Sequence, residues 1–308
     1  MSSPCASSPV VSTQWLADHL GSDSLVILDA TVFTAPVSDR DTALATGLET
    51  ELNTDAPRYI SGHEDYLTKG HIPGAVFADL LEVFSNSAGD FDFSRPDAQQ
   101  FEAAAASVGI DNDTRVVVYD AVAGQWAARI WWLFRAFGYD AVAVLDGGLT
   151  KWHAEMRPFA TGGVRPRNVS GFVATPRAGL WVDKHYVESI VAGNKSAALV
   201  CSVAAAEFAG RAGLRPRDGH IPGSISLPVS ALVNSATNAF LRDDKLDAIL
   251  APALAASPHL VTYCGGGIAA AASALALTRA GHANVSIYDG SLNEWAADAA
   301  APLSLMPR

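Results

Sequence analysis

The chain reads as an α/β protein made of two copies of one unit, each a mostly parallel sheet flanked by helices. Three observations carry that reading. The first is an internal repeat. Gly70-His71-Ile72-Pro73-Gly74-Ala75 returns as Gly219-His220-Ile221-Pro222-Gly223-Ser224, and Val117-Val118-Tyr119-Asp120 returns as Val261-Thr262-Tyr263-Cys264. Leu145-Asp146-Gly147-Gly148-Leu149…Trp152 likewise returns as Tyr288-Asp289-Gly290-Ser291-Leu292…Trp295. The separation barely changes: 149 positions for His71 and His220, 144 for Asp120 and Cys264, 143 for Trp152 and Trp295. Self-similarity at a fixed period marks duplicated supersecondary units. The second observation is the alternation of short β-branched runs with longer helical segments, which implies parallel strands joined by helices. The third is the density of breakers over Arg157–Gly179: Pro158, Gly162, Gly163, Pro166, Gly171, Pro176 and Gly179. Such a stretch reads as a linker. It divides the chain into a first domain over 10–157, a linker over 158–179 and a second domain over 180–308.

In chain order, the first dozen residues read as a tail. Thr13 is placed to cap a helix over Gln14–Leu20, and Leu25-Val26-Ile27-Leu28-Asp29 follows as a buried strand. Residues 34–62 are polar, acidic and irregular, an expected surface insertion. Val76–Phe77 is a short strand after the first Gly-His-Ile-Pro-Gly turn, and Asp97–Val108 a helix. Arg115-Val116-Val117-Val118-Tyr119-Asp120 is the clearest strand of the first half. An aromatic-rich helix over Gln125–Phe137 follows, then a strand over Ala141–Leu145 and a helix beginning at Leu149–His153. Trp126, Trp131 and Trp132 recur at helical spacing, as residues of a core or interdomain contact do. In the second half, Cys201 ends one strand and Leu260-Val261-Thr262-Tyr263 forms another, before a helix over Ile268–Arg279.

Composition narrows the function classes. The 308 residues are 49% hydrophobic and 17% charged, as expected of a soluble chain with large cores. A net charge of -11 disfavours nucleic acid or an anionic membrane surface as partner. It also means that an anionic substrate needs local Arg or backbone N–H groups. Cys5, Cys201 and Cys264 lack the spacing of a zinc site or a disulfide framework and suit a reducing compartment. The N-terminal residues lack a basic segment followed by an apolar core, and no apolar run is long enough to span a bilayer. A cytoplasmic location is the expectation.

The chemistry concentrates at Cys264-Gly265-Gly266-Gly267-Ile268-Ala269. Strand, glycine loop and helix start follow in that order, so the sulfur lies at the carboxyl end of a parallel strand, where sites of α/β sheets lie. Loop amides and the helix N-terminus stabilise negative charge placed there, and glycines let the backbone close around the sulfur. A lone cysteine at a strand end is ordinarily a small buried hydrophobe. The repeat argues otherwise, because the first copy has Asp120-Ala121-Val122-Ala123-Gly124-Gln125 with neither thiol nor glycine run. That divergence points to one working site and one scaffold copy.

Both Gly-His-Ile-Pro-Gly segments, Trp131-Trp132…Arg135-Ala136-Phe137-Gly138…Leu145-Asp146-Gly147-Gly148-Leu149…Trp152, and the loop Cys264–Ala269 together resemble the tandem-domain rhodanese family. These are the thiosulfate and 3-mercaptopyruvate sulfurtransferases, and the likeness covers nearly the whole chain. It implies two tandem rhodanese-like domains, the first catalytically silent, and a Cys264 that cycles between thiolate and persulfide. It implies a small anionic sulfur donor and a thiol or cyanide acceptor, a thioredoxin-like protein among them. It implies no metal and no organic cofactor.

The chain departs from the family in several places. Thiosulfate-preferring members carry cations directly after the cysteine, where this chain has Gly265 and Gly266. The loop resembles the Cys-Gly-Ser-Gly-Val-Thr of mercaptopyruvate enzymes, with Gly266 for the serine and Ala269 for the threonine. The aspartate that partners that serine falls at Leu81, with Asp79 nearby. Cys201-Ser202-Val203 stands for Asp-Ser/Ala-Arg, and Glu207 aligns with an arginine that binds the donor. Arg211-Ala212-Gly213-Leu214-Arg215 matches Arg-x-Gly-Leu-Arg. The resemblance therefore makes Arg211 the first choice of anion clamp and Arg215 the second, with Gly265, Gly266, Gly267, Ile268 and Ala269 supplying the cradle.

His71 and His220 occupy matching turns in both copies and are read as turn-stabilising. Cys201 has two readings, inert packing or a resolving thiol if its strand neighbours that of Cys264. Among other functions, Gly265-x-Gly267-x-x-Ala270 is a weak dinucleotide fingerprint with only 19 residues left after Asp289. A cysteine phosphatase needs an arginine where Ala270 stands. A persulfide carrier with little small-donor turnover remains the alternative.

Overall fold

The structure, a computed structural model, describes residues 8–35, 58–212, 215 and 217–306. Two five-stranded, wholly parallel sheets form its frame. In the first, β1 (Val10–Val11), β2 (Leu25–Asp29), β5 (Val76–Phe77), β6 (Arg115–Tyr119) and β7 (Val142–Leu145) lie in the order β1-β7-β6-β2-β5. In the second, β8 (Trp181–Val182), β9 (Ala198–Cys201), β10 (Ile225–Ser226), β11 (Leu260–Tyr263) and β12 (Val285–Tyr288) lie in the order β8-β12-β11-β9-β10. The two orders are the same topology, which is the structural form of the sequence repeat. Each central strand, β6 and β11, carries a near-continuous apolar run because helices cover both faces.

Three local expectations change. Val10–Val11 is an edge strand on β7, with Val10 opposite Val144, rather than tail. The first helix, α1 (Thr13–Asp18), is capped by Ser12, whose hydroxyl accepts from the Trp15 amide at 3.1 Å. Thr13 instead donates to Glu155 at 2.6 Å, tying α1 to the end of the domain. Of the acidic stretch at 34–62, residues 36–57 lie outside the described residues. Its flanks are ordered as an antiparallel pair, β3 (Val32–Thr34) with β4 (Tyr59–Ser61).

The helix over Ala98–Ser107 starts at a reciprocal capping box between Asp97 and Gln100, which satisfies two otherwise unpaired amides. Residues 158–179 run over the first domain. Phe172 packs against Phe101, Phe134 and Tyr139, and Arg177 pairs with Asp140 at 2.7 Å. The breakers therefore produce an extended strap fastened along its length.

Two helices join the domains. The aromatic-rich helix Gln125–Ala136, here αA, packs against the alanine-rich helix Ile268–Arg279, here αB. Both are apolar on nearly every side, the signature of a helix enclosed by protein. Ala270, Ala271, Ala272, Ala274 and Ala276 are buried on αB, and such small side chains admit the large ones of αA. Trp126, Trp131 and Trp132 are buried there, and truncating such a side chain costs about 3–5 kcal/mol. One apolar cluster runs from β2 and β6 through both helices to β9 and β11, so the domains share a continuous core.

Candidate active site

Cys264 follows β11 directly and is 3% exposed. Its backbone is held on both sides. The Cys264 amide donates to the Ser291 hydroxyl at 3.1 Å, and its carbonyl accepts from the Leu292 amide at 3.0 Å. The Gly265 carbonyl accepts from the Asn293 amide at 2.9 Å. Residues 291–293 open the helix Ser291–Ala297, so that helix fixes the start of the cysteine loop. Ser291 adopts φ 51, a left-handed backbone uncommon for serine, where the first domain has Gly148 at the same angle. The serine bears that conformation while accepting from the Cys264 amide.

The loop glycines are crowded to different degrees. Gly267 caps αB at φ 80, and a Cβ there would lie 3.0 Å from the Arg129 guanidinium and from the Asp289 carbonyl. A Cβ on Gly265 would lie 2.5 Å from the Arg215 guanidinium. Gly266 faces the Asn293 amide group and the Asp92 carbonyl. Ile268 and Ala269 begin αB.

The first domain supplies an internal standard for this cradle. Asp120 stands after β6 as Cys264 stands after β11. Its carboxylate accepts from the amides of Val122 at 2.8 Å and of Gly124, Trp126 and Ala127 at 3.0 Å each. Burial raises its pKa and the four amides oppose that shift. The loop and helix start of this unit thus enclose a carboxyl group with backbone donors. In the second domain no side-chain acceptor takes the amides from Gly265 to Ala270 among the described residues.

Around the loop the structure assembles groups from distant positions. Arg215 lies on Gly265, donates from Nε to Asn293 at 3.3 Å, and forms an ion pair with Glu207. Arg211, by contrast, is on an exposed turn after the short helix Ala205–Phe208. Arg215 is thus a cation placed against the cysteine loop. From the first domain, Tyr59 comes within electrostatic reach of Cys264, Asp92, Arg215 and Glu207. Burial foremost, then the negative neighbours, push its pKa up to about 12, so it stays a hydroxyl donor. Phe93 and Trp126 brace its ring. Arg129, from αA and 1% exposed, donates to Asp289 at 2.7 Å, to the Phe93 carbonyl at 2.6 Å, and more weakly to the Gly267 carbonyl. The first domain thereby grips the cysteine loop.

Cys201 lies opposite Tyr263 on the strand next to that of Cys264. Burial pushes its thiol up to about 12, although a hydrogen bond with Tyr263 opposes the shift. A thiol so protonated is a poor nucleophile, which favours the packing reading. It occupies the place of Asp29, which in the first domain binds Thr31. The paired histidines are structural: His71 bonds the Tyr66 carbonyl and stacks on that ring, and His220 does the same with Phe208.

Sequence reading missed Tyr59, Asp92, Asn293 and Arg129 because they come from four separate elements and no spacing joins them. Ser291 carried a signal, since it alone breaks the match to Gly147-Gly148-Leu149. Among the described residues no cluster of three His, Cys, Asp or Glu side chains suits a metal ion, and no helix is long and apolar enough to cross a membrane.

Residues 12–155 and 204–298 match the profile of the Rhodanese-like domain. The chain belongs to the rhodanese family. The 3-mercaptopyruvate sulfurtransferase of Escherichia coli (strain K12) is 30% identical over 301 residues, 95% of this chain and 96% of the relative. The thiosulfate sulfurtransferase of Gallus gallus is 32% identical over 238 residues, 73% of this chain and 78% of the relative. Among solved structures, the 3-mercaptopyruvate enzyme SseA of Escherichia coli superposes with a TM-score of 0.75 at 29% identity, covering 92% of this chain and 98% of its own. With rhodanese relatives of this kind along its length, the chain is a sulfurtransferase. The relatives divide between two donors at similar identity, so the donor is a question for the site.

Proposed function

We propose that Cys264 takes sulfane sulfur from a small donor as a persulfide and passes it to a thiol or cyanide. The observation that carries the reading is the Asp120 carboxylate, held by four backbone amides at the position equivalent to Cys264. A persulfide on Cys264 stands at the same strand end, before the same kind of loop and helix start. The Cys264 thiolate attacks the outer sulfur of the donor. The bond from that sulfur to the rest of the donor breaks, and sulfite leaves thiosulfate or pyruvate leaves 3-mercaptopyruvate with a proton. An acceptor thiolate then attacks the sulfane sulfur and Cys264 departs as thiolate. Loop amides stabilise the anion at both stages, and Tyr59 offers a neutral hydroxyl donor beside it. The acceptor includes a small thiol or a thioredoxin-like protein.

The alternative, a persulfide carrier fed by another protein, draws on the pairing of Arg215 with Glu207, which weakens the pull on a small anion. Thiocyanate formation from cyanide separates the two, with thiosulfate and 3-mercaptopyruvate run side by side. Turnover with either donor, lost in Cys264→Ser, supports the enzyme reading. Folded protein without turnover on either supports the carrier.

A further inference from the structure

Glu207 changes what the site recognises. It stands beside the cysteine loop, where an anion-binding site calls for a cation, and it pairs with the arginine that lies on Gly265. Both side chains are largely enclosed, 16% exposed for Arg215 and 13% for Glu207. Asp92 adds a second carboxylate within reach of Tyr59. The nearby Arg129 is committed to Asp289, and Arg95 extends over the ring of Trp181 at 5.9 Å. Among these groups the charge around the sulfur is balanced or negative, on a chain whose net charge is already -11.

A donor carboxylate that engages Arg215 must loosen Glu207. A lone anion would leave that carboxylate enclosed, poorly hydrated and facing a like charge, which is costly. A donor that brings its own cation avoids the cost. An α-amino acid carries ammonium and carboxylate on one carbon, so it can enter between two side chains that already touch and compensate each. We propose that the preferred donor is a zwitterionic α-amino-acid hydropersulfide, its carboxylate held by Arg215 and its ammonium by Glu207. The inference rests on the persulfide reading of Cys264. The step balances without an added oxidant or reductant: the Cys264 thiolate attacks the terminal sulfur, and the donor's S–S bond breaks. The electron pair leaves on the amino-acid thiolate, which takes up the proton from the transferred sulfur, and the Cys264 persulfide remains as the anion.

Cysteine hydropersulfide and the hydropersulfide of 3-mercaptopropionate differ in the ammonium group alone. Rapid-quench mass spectrometry, counting sulfur gained on Cys264, gives the loading rate from each, with 3-mercaptopyruvate and thiosulfate as further donors. The expected result is a preference for the cysteine compound of at least about tenfold in the wild type, as suits an enclosed charge pair. Glu207→Gln abolishes that preference and raises loading from thiosulfate. The ratio of two donors on one protein is insensitive to partial unfolding, and Glu207→Ser supplies the same ratio if Glu207→Gln is poorly folded. Equal loading by the two hydropersulfides in the wild type, or an unchanged ratio in both variants, overturns the proposal while leaving the Cys264 chemistry intact. Absence of loading from every donor overturns both.

Discussion

Replacing Arg129 by methionine removes a buried polar tie between the first domain and the cysteine loop. The guanidinium is 1% exposed and donates to Asp289 at 2.7 Å and the Phe93 carbonyl at 2.6 Å. Removing one partner of a buried pair costs about 3–5 kcal/mol, chiefly because the other charge is left uncompensated. Two features place this case near the lower bound. Asp289 is 12% exposed at its side chain, and its second oxygen still accepts the Arg95 amide at 2.9 Å. Methionine also keeps much of the apolar volume facing Trp181, whose ring lies 4.7 Å from the guanidinium. About 3 kcal/mol is therefore expected, which for a chain of this size lowers Tm by roughly 6–12 °C. Urea unfolding of Arg129→Met, Asp289→Asn and the double variant measures it as a cycle, with a coupling of at least about 1 kcal/mol. The same Arg129→Met protein should lose sulfur-transfer kcat at temperatures where it is fully folded, since the Gly267 carbonyl loses a neighbour. Additive losses, or a single-variant cost under about 1 kcal/mol, would refute the reasoning.

Gly265→Ala drives a methyl group to 2.5 Å from the Arg215 guanidinium and displaces it. Loading of Cys264 by 3-mercaptopyruvate should fall about tenfold or more, with a smaller effect on Tm because the far end of a side chain can yield. Cys201→Ala should keep most of its turnover, because burial holds that thiol protonated. Iodoacetamide on the folded wild type should accordingly label Cys264 well before Cys201. Asp140 accepts hydrogen bonds from Arg177 of the interdomain strap, which lower its carboxyl pKa below the ordinary range. Its stabilising contribution is present above that range and is lost as pH falls from about 4 toward the folded-state value. The Tm difference between wild type and Asp140→Asn should therefore be open at neutral pH and close in acid; a difference independent of pH would contradict it.

Much of the architecture was legible because its causes are local. Buried parallel strands need continuous apolar runs, and Leu25–Asp29, Leu260–Tyr263 and the helix Ile268–Arg279 begin and end in the structure where composition changes. The repeat settled the duplication and marked Cys264 as the point where the copies part. Single-residue choices were less legible. Ser12 and Thr13 are both good caps, and only the position of Glu155, 142 residues on from Thr13, decides which one caps. Val10–Val11 is too short to announce itself without β7 beside it. The ordered flanks of the acidic stretch pair with one another, a contact that no local propensity encodes.

The sequence by itself determined two α/β units, a linker, and a cysteine at a strand end before a helix, since each follows from periodicity, breakers and repetition along the chain. Tertiary structure decided which charges meet the sulfur. Arg211 and Arg215 are equivalent as residue types four positions apart, and it is the fold that lays Arg215 on Gly265 and pairs it with Glu207. Tyr59, Asp92 and Arg129 reach the loop because the two domains close around one core. Electrostatic character depends on distance and enclosure, and neither is a property of neighbouring letters.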